Sequence, residues 1–253
     1  MNLSAPDLSG LRRDIALACR VLAHQGLAAD VLGHVSVRTG DGRMLIRCRG
    51  PRESGLLFTT PDDVHEVGLD GPYDDLPGGY AVPSELPIHA ETLRRRPDVT
   101  VVVHAHPPAV VAADLAGLAL RPIVGAFNIP ATRLAADGVP VHPRGVLIRR
   151  ADLAAEMLAA MGDAPVCVLR GHGVTTTGAT IAQAVVRALN LEALARITLD
   201  AAQAMAGRGP APVQPPDLPA ADIAELPDLG AALNEESVWR HHLARLSHAG
   251  LSV

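Results

Sequence analysis

The run Pro97-Asp98-Val99-Thr100-Val101-Val102-Val103-His104-Ala105-His106-Pro107-Pro108 constrains the fold more than any other stretch. Its β-branched residues, Val99 to Val103, stand between a proline and a Pro-Pro pair, the pattern of a short buried strand. Residues i and i+2 of a strand face the same side, about 6.6 Å apart. His104 and His106 therefore share a side. Two imidazoles at that spacing can converge on one ion through bonds of about 2.0–2.1 Å. Alone, the pair is equally consistent with a polar strand end. A third ligand and an acid elsewhere in the chain would tip the balance.

A chain of 253 residues accommodates one large α/β domain or two small ones. Hydrophobic residues reach 48% but aromatics only 2%, so Ala, Val, Leu and Ile must fill the core. The net charge of −5 is spread over both signs, with no basic run suited to nucleic acid. No apolar stretch reaches the roughly 18 residues of a membrane span, and the N-terminus lacks a signal-peptide core. A cytoplasmic protein with neither nucleic-acid nor membrane partners is expected. Cys19, Cys48 and Cys167 are scattered and read as buried free thiols. Eleven histidines make histidine the residue type to follow.

Leu11, Ile15, Ala18, Leu22 and Ala23 give a helical period over residues 7–27, capped by Asp7 or Ser9. Val35–Arg38 and Arg43–Cys48 read as a hairpin around Thr39-Gly40-Asp41-Gly42. Further strands are expected at Leu56–Thr59, Leu120–Phe127, Val146–Ile148 and Val166–Leu169. Ser84 is expected to cap a helix to Arg95 with Glu85 in its first turn, where the helix dipole favours a carboxylate. Helices are also expected at Ala151–Met161, Thr180–Ala206 and Asn234–Leu246, the last reached through a Pro-rich segment, 207–229. The residues beyond that segment are too few for a core of their own. The expectation is a single α/β domain over 1–253, three-layered (α/β/α) with a mixed central sheet.

His172 follows the strand Val166–Leu169 between Gly171 and Gly173, which let the backbone turn sharply and present the imidazole at a strand end. It completes three nitrogen ligands, the number in an open catalytic site. The stretches from Pro83 to Pro108 and from Leu169 to Gly178, with Gly33-His34-Val35-Ser36-Val37-Arg38, resemble the class II aldolase/adducin family over about residues 10–205. The resemblance implies that His104, His106 and His172 bind a divalent metal, usually zinc, with manganese, cobalt or iron as alternatives. It also implies that Glu85 is the catalytic carboxylate and that subunits form a homotetramer with sites at their interfaces.

Departures from the family pattern bear on the substrate. Sugar-phosphate aldolases of this family carry Gly-Asn-x-Ser where this chain has Gly33-His34-Val35-Ser36, and Ser-Ser where it has Pro83-Ser84. Their phosphate cradle is replaced by a stretch holding Arg47, Arg49 and Arg52, any of which can grip a carboxylate in bidentate fashion. This shift resembles the family's decarboxylases of dihydroxylated aromatic acids such as dihydroxyphthalates. His34, Ser36, Ser84 and His89 join the arginines as expected substrate contacts, His89 lying one helical turn after Glu85. An aldolase or epimerase acting on a sugar phosphate, and a non-catalytic adducin-like scaffold, are the alternatives.

Overall fold

A computed structural model describes residues 7–40, 42–71, 73, 76–206 and 214–253. The N-terminal period forms helix α1 (Leu8–His24), and Asp7 is its cap, accepting the Ser9 N–H at 3.1 Å. The helix buries Ile15, Ala18, Cys19 and Leu22. Strands β1 (His34–Gly40) and β2 (Arg43–Arg47) form the expected hairpin, with β3 (Val64–Gly68) on its outer side. Helix α2 (Leu86–Arg95) then leads to β4 (Val101–Ala105). Helices α3 (Pro108–Leu115) and α4 (Ile129–Leu134) and the short strand β5 (Val141–His142) follow. Helix α5 (Ala151–Met161), strands β6 (Val166–Leu169) and β7 (Gly173–Gly178), and the long helix α6 (Ile181–Met205) complete the body.

The seven strands form one sheet in the order β3-β2-β1-β4-β7-β6-β5, antiparallel except for the parallel β5–β6 pair. It is the mixed sheet expected. Alternation along β4 separates two cores. Val101, Val103 and Ala105 pack with apolar residues of α1, α3 and α6, whereas Val102 packs with those of α2 and α5. Helices cover both faces, giving three layers. His104 shares the face of Val102 and so points toward α2.

Several sequence expectations need correction. Leu56–Phe58 is a 3-10 turn, not a strand, and β3 lies farther along as an edge strand. Leu120–Phe127 contains no strand: Pro122 removes a ladder donor and Gly125 turns with φ of 53°. Val146–Ile148 is irregular. Strand β7 is an addition: its run Gly173-Val174-Thr175-Thr176-Thr177-Gly178 reads as part of a Gly-rich turn, yet its β-branched residues pair with both β4 and β6. Ser84 is exposed and does not cap α2; Glu85 takes the cap position without using its side chain for it.

Of the Pro-rich segment, residues 207–213 lie outside the described residues. The remainder crosses the body: Gln214 exchanges hydrogen bonds with Ala119, and Leu218 N–H donates to Pro122 O at 2.9 Å. A short helix, α7 (Ala220–Glu225), precedes a π-helical turn (Ala232–Ser237) that runs directly into α8 (Val238–His248), which buries Leu246 in the core it shares with α1. No described helix is long and apolar enough to cross a membrane.

Candidate active site

Register places the first histidines. His34 of β1 lies opposite His104 of β4, and their rings stack with centroids 4.9 Å apart. His106 follows the end of β4, immediately before Pro107 and the start of α3. That helix start is held from behind by Glu192 of α6, whose carboxylate accepts the Ala109 and Val110 N–H groups at 2.9 and 3.3 Å. Two otherwise orphaned helix donors are satisfied, which fixes the chain leaving His106.

The same helix positions His172. Asp114 of α3 accepts the Gly171 N–H at 2.7 Å and pairs with Arg170 at 3.0 Å, clamping the β6–β7 turn. Gly171 occupies the left-handed region with φ of 61°. Gly173 is required for a different reason: a Cβ there would stand 2.3 Å from the Ala105 carbonyl oxygen and 3.0 Å from His106 Cδ2. Only glycine lets β7 approach the end of β4 closely enough to bring His172 beside His106. Gly173→Ala is expected to destabilise the fold by about 1–3 kcal/mol, the range for overpacking. It should also loosen divalent-ion binding at least about tenfold, since ligand placement governs affinity. Thermal melts with and without added zinc check both effects.

Glu85, His104, His106 and His172 offer one ligand atom each, all within 4.8 Å of one another. Glu85 Oε2 lies 3.2 Å from His104 Nε2 and 3.5 Å from His172 Nε2. Its Oε1 accepts the Ile148 N–H at 3.1 Å, so one carboxylate oxygen is anchored and the other faces the imidazoles. Burial opposes ionisation of Glu85, but hydrogen bonds with His104 and His172 outweigh it and hold the carboxyl well below the usual range. Burial, with His104 and His172 close by, pushes His106 down to about 3, so its ring is neutral near pH 7.

This donor set fits a divalent transition ion. Val174 O lies 3.0 Å from His104 Nδ1. A carbonyl only accepts, so Nδ1 carries a proton, and Nε2 is the nitrogen that can turn a lone pair to an ion in place of its contact with Glu85. Three imidazoles and a carboxylate suit zinc and its neighbours. Val174, Ile148, Asp114 and Glu192 escaped the sequence reading because their roles depend on backbone atoms or long-range contacts. Only Glu192, an acid on an otherwise apolar helix face, left a trace in the sequence.

The chain belongs to the class II aldolase and adducin family. The family's pattern, described as the Class II Aldolase and Adducin N-terminal domain, matches residues 13–199. A 3,4-dihydroxyphthalate decarboxylase of Arthrobacter keyseri is 57% identical over 244 residues, covering 95% of this chain and 96% of that protein. One from Terrabacter sp. is 55% identical, covering 93% and 96%. The crystal structure of an aldolase II superfamily protein from Pseudomonas syringae superposes with a TM-score of 0.76 at 20% identity, covering 98% of this chain and 96% of that one, and supports the fold.

Other residues expected to meet a substrate separate into two groups within this class II aldolase and adducin fold. Ser36 and His89 are sealed inside: His89 Nδ1 lies 2.6 Å from Ser36 Oγ, and its Nε2 lies 2.7 Å from His34 Nδ1. Both His89 nitrogens are engaged there. Arg47 is placed otherwise. It is buried and paired with Glu53, which further accepts the Gly55 N–H at 2.7 Å. A buried guanidinium left without that partner would be costly. Arg49 is half-buried and Arg52 exposed, and neither has a carboxylate partner among the described residues.

Burial lowers His89 to about 3, with the adjacent His104 adding to the effect. The unfolded chain binds a proton at this ring near pH 6.5, whereas the folded one resists until about 3. The unfolded state therefore holds more protons across that window, and stability falls as pH drops through it. In metal-free protein, His89→Gln is expected to make this acid slope shallower by up to about 1.4 kcal/mol per pH unit. Denaturant titrations at several pH values between 4 and 7 measure the slope directly.

Proposed function

We propose that this chain is a metal-dependent carbon–carbon lyase that decarboxylates a dihydroxylated aromatic acid of the dihydroxyphthalate type. The observation carrying this reading is the convergence of His104, His106, His172 and Glu85 in a chain so closely similar to 3,4-dihydroxyphthalate decarboxylases. In this reading the three histidines hold the ion, with zinc the expected metal and manganese, cobalt or iron the alternatives. When bound, the ion supplies Lewis-acid stabilisation for charge left on the substrate as the carbon–carbon bond breaks.

Glu85 moves the proton. Its Oε2 faces the imidazoles, 3.2 Å from His104 Nε2; with the histidine lone pairs given to an ion, the hydrogen bonds that hold this carboxyl low would be released, and Oε2 could accept a proton from a substrate hydroxyl. The Ile148 N–H keeps Oε1 in place meanwhile. The carboxylate then leaves as carbon dioxide, its bonding pair stays with the ring carbon, and Glu85 returns the proton there. One proton is collected and one is delivered. Arg49 and Arg52 are the arginines left to steer the second carboxylate, because Arg47 is committed to Glu53.

A homotetramer in the cytoplasm is part of the proposal. Leu115, 70% exposed, lies beside Gly171 and hence next to the His172 turn, an apolar surface suited to a subunit boundary near the site. The direct test is carbon dioxide release and product mass from zinc-loaded protein. Dihydroxyphthalates and dihydroxybenzoates should be compared with fuculose, ribulose and rhamnulose phosphates. Loss of carbon dioxide from an ortho-dihydroxy acid is expected; cleavage of a sugar phosphate instead would replace this reading with the aldolase one.

A further inference from the structure

Behind the four donor side chains runs a second, buried line of polar groups: Ser36, His89 and His34. Ser36 of β1 and His89 of α2 are fully buried, and His34 is only 4% exposed. Each link is short, 2.6 Å from Ser36 Oγ to His89 Nδ1 and 2.7 Å from His89 Nε2 to His34 Nδ1. His34 Nε2 has no hydrogen-bond partner among the described residues. The line thus runs from the protein interior to the His34 ring, which stacks on His104 at the edge of the four-donor cluster.

The direction of this line follows from its inner end. Among the described residues, Ser36 Oγ has His89 Nδ1 as its one hydrogen-bond partner. If His89 donated to Ser36, the buried hydroxyl hydrogen would have no acceptor. A hydroxyl donating to Nδ1 avoids that cost, since an unpaired buried donor is worse tolerated than an acceptor with a spare lone pair. His89 then carries its proton on Nε2 and donates to His34 Nδ1. His34 in turn must carry its proton on Nε2.

We propose that Ser36 and His89 are positioning residues that fix His34 as the Nε2–H tautomer, a neutral donor directed at a carboxylate oxygen of the substrate. The identity of that ligand rests on the decarboxylase reading; the polarity of the line does not. A carboxylate suits a fixed donor because it only accepts, whereas a hydroxyl can present either role. His34 thereby selects for an acid without adding a second positive charge beside the ion.

Ring-nitrogen spectra of histidine-labelled, zinc-loaded full-length protein test the proposal, with assignments from H34N and H89N differences. Both His34 and His89 should be protonated at Nε2, and millimolar phthalate should shift the His34 Nε2 resonance. A His34 ring protonated at Nδ1 would overturn the polarity. A resonance indifferent to phthalate, or moved by inorganic phosphate in its place, would overturn the assignment to a carboxylate. S36A should show both His34 tautomers and lose about tenfold in kcat/KM, mostly through KM, with metal content unchanged; S36T should restore the single tautomer. A variant S36A that keeps one Nε2–H tautomer would remove Ser36 from the line. Absence of carbon dioxide release with the wild-type tautomers as stated would defeat the decarboxylase reading while leaving the polarity intact.

Discussion

His104→Ala should purify without a stoichiometric divalent ion and lose at least about a thousandfold in carbon dioxide release. The magnitude follows from several kcal/mol of charge stabilisation supplied by an ion, each 1.36 kcal/mol being about tenfold in rate. His104 is fully buried on the central strand, stacked on His34 and hydrogen-bonded to Val174 O. Its removal therefore also leaves space in the sheet. His172→Ala separates the two effects, because His172 stands in a turn and is only partly buried. That variant should lose metal and turnover while keeping a thermal midpoint close to that of metal-free wild type. Elemental analysis beside a thermal melt measures both. Retention of one ion per chain in His172→Ala would remove it from the ligand set.

The site's principal donors are legible in the sequence because each stands against a strong local pattern. His104 and His106 end an uninterrupted β-branched run, and His172 sits between glycines after an apolar strand. What could not be read is the backbone that orients them. The β7 run consists of Gly, Val and Thr, and its threonine hydroxyls look polar in sequence but are spent internally. Thr176 donates to Ala184 O at 2.7 Å and Thr177 to Pro165 O at 3.0 Å, which lets the strand lie buried between β4 and β6. Ile148, placed in an expected strand, instead directs its N–H to Glu85. The edge strand β3 begins right after Asp62-Asp63, a turn signal that obscures the Val-His-Glu-Val alternation following it.

The arginines show the same limit from the other side. Three of them in a short stretch suggest anion binding, and composition alone cannot say which are occupied. Glu53 resolves Arg47 because it reaches both the guanidinium and the backbone of its own loop. Ser36 and His89 likewise belong to the site's neighbourhood by sequence, but burial assigns them to the support of His34. Proximity in sequence identified the neighbourhood; burial and hydrogen bonding separate direct contacts from supporting ones.

Glu85→Gln should retain the ion and lose about 10²–10⁴-fold in kcat, the range supplied by a positioned acid or base. The substitution preserves shape, and the amide oxygen can still accept the Ile148 N–H that anchors Oε1. What it removes is the negative charge and the capacity of Oε2 to take up and return a proton. Three imidazoles remain to hold a divalent ion, so metal content should stay near one per chain and KM should change little. The loss of charge 3.2 Å from His104 Nε2 and 3.5 Å from His172 Nε2 should still weaken ion affinity measurably. Competition with a chelator reports that shift separately from turnover. Loss of the ion would make Glu85 a fourth ligand rather than the proton carrier. Turnover within tenfold of wild type, with the ion retained, would require another group to supply the proton to the ring carbon.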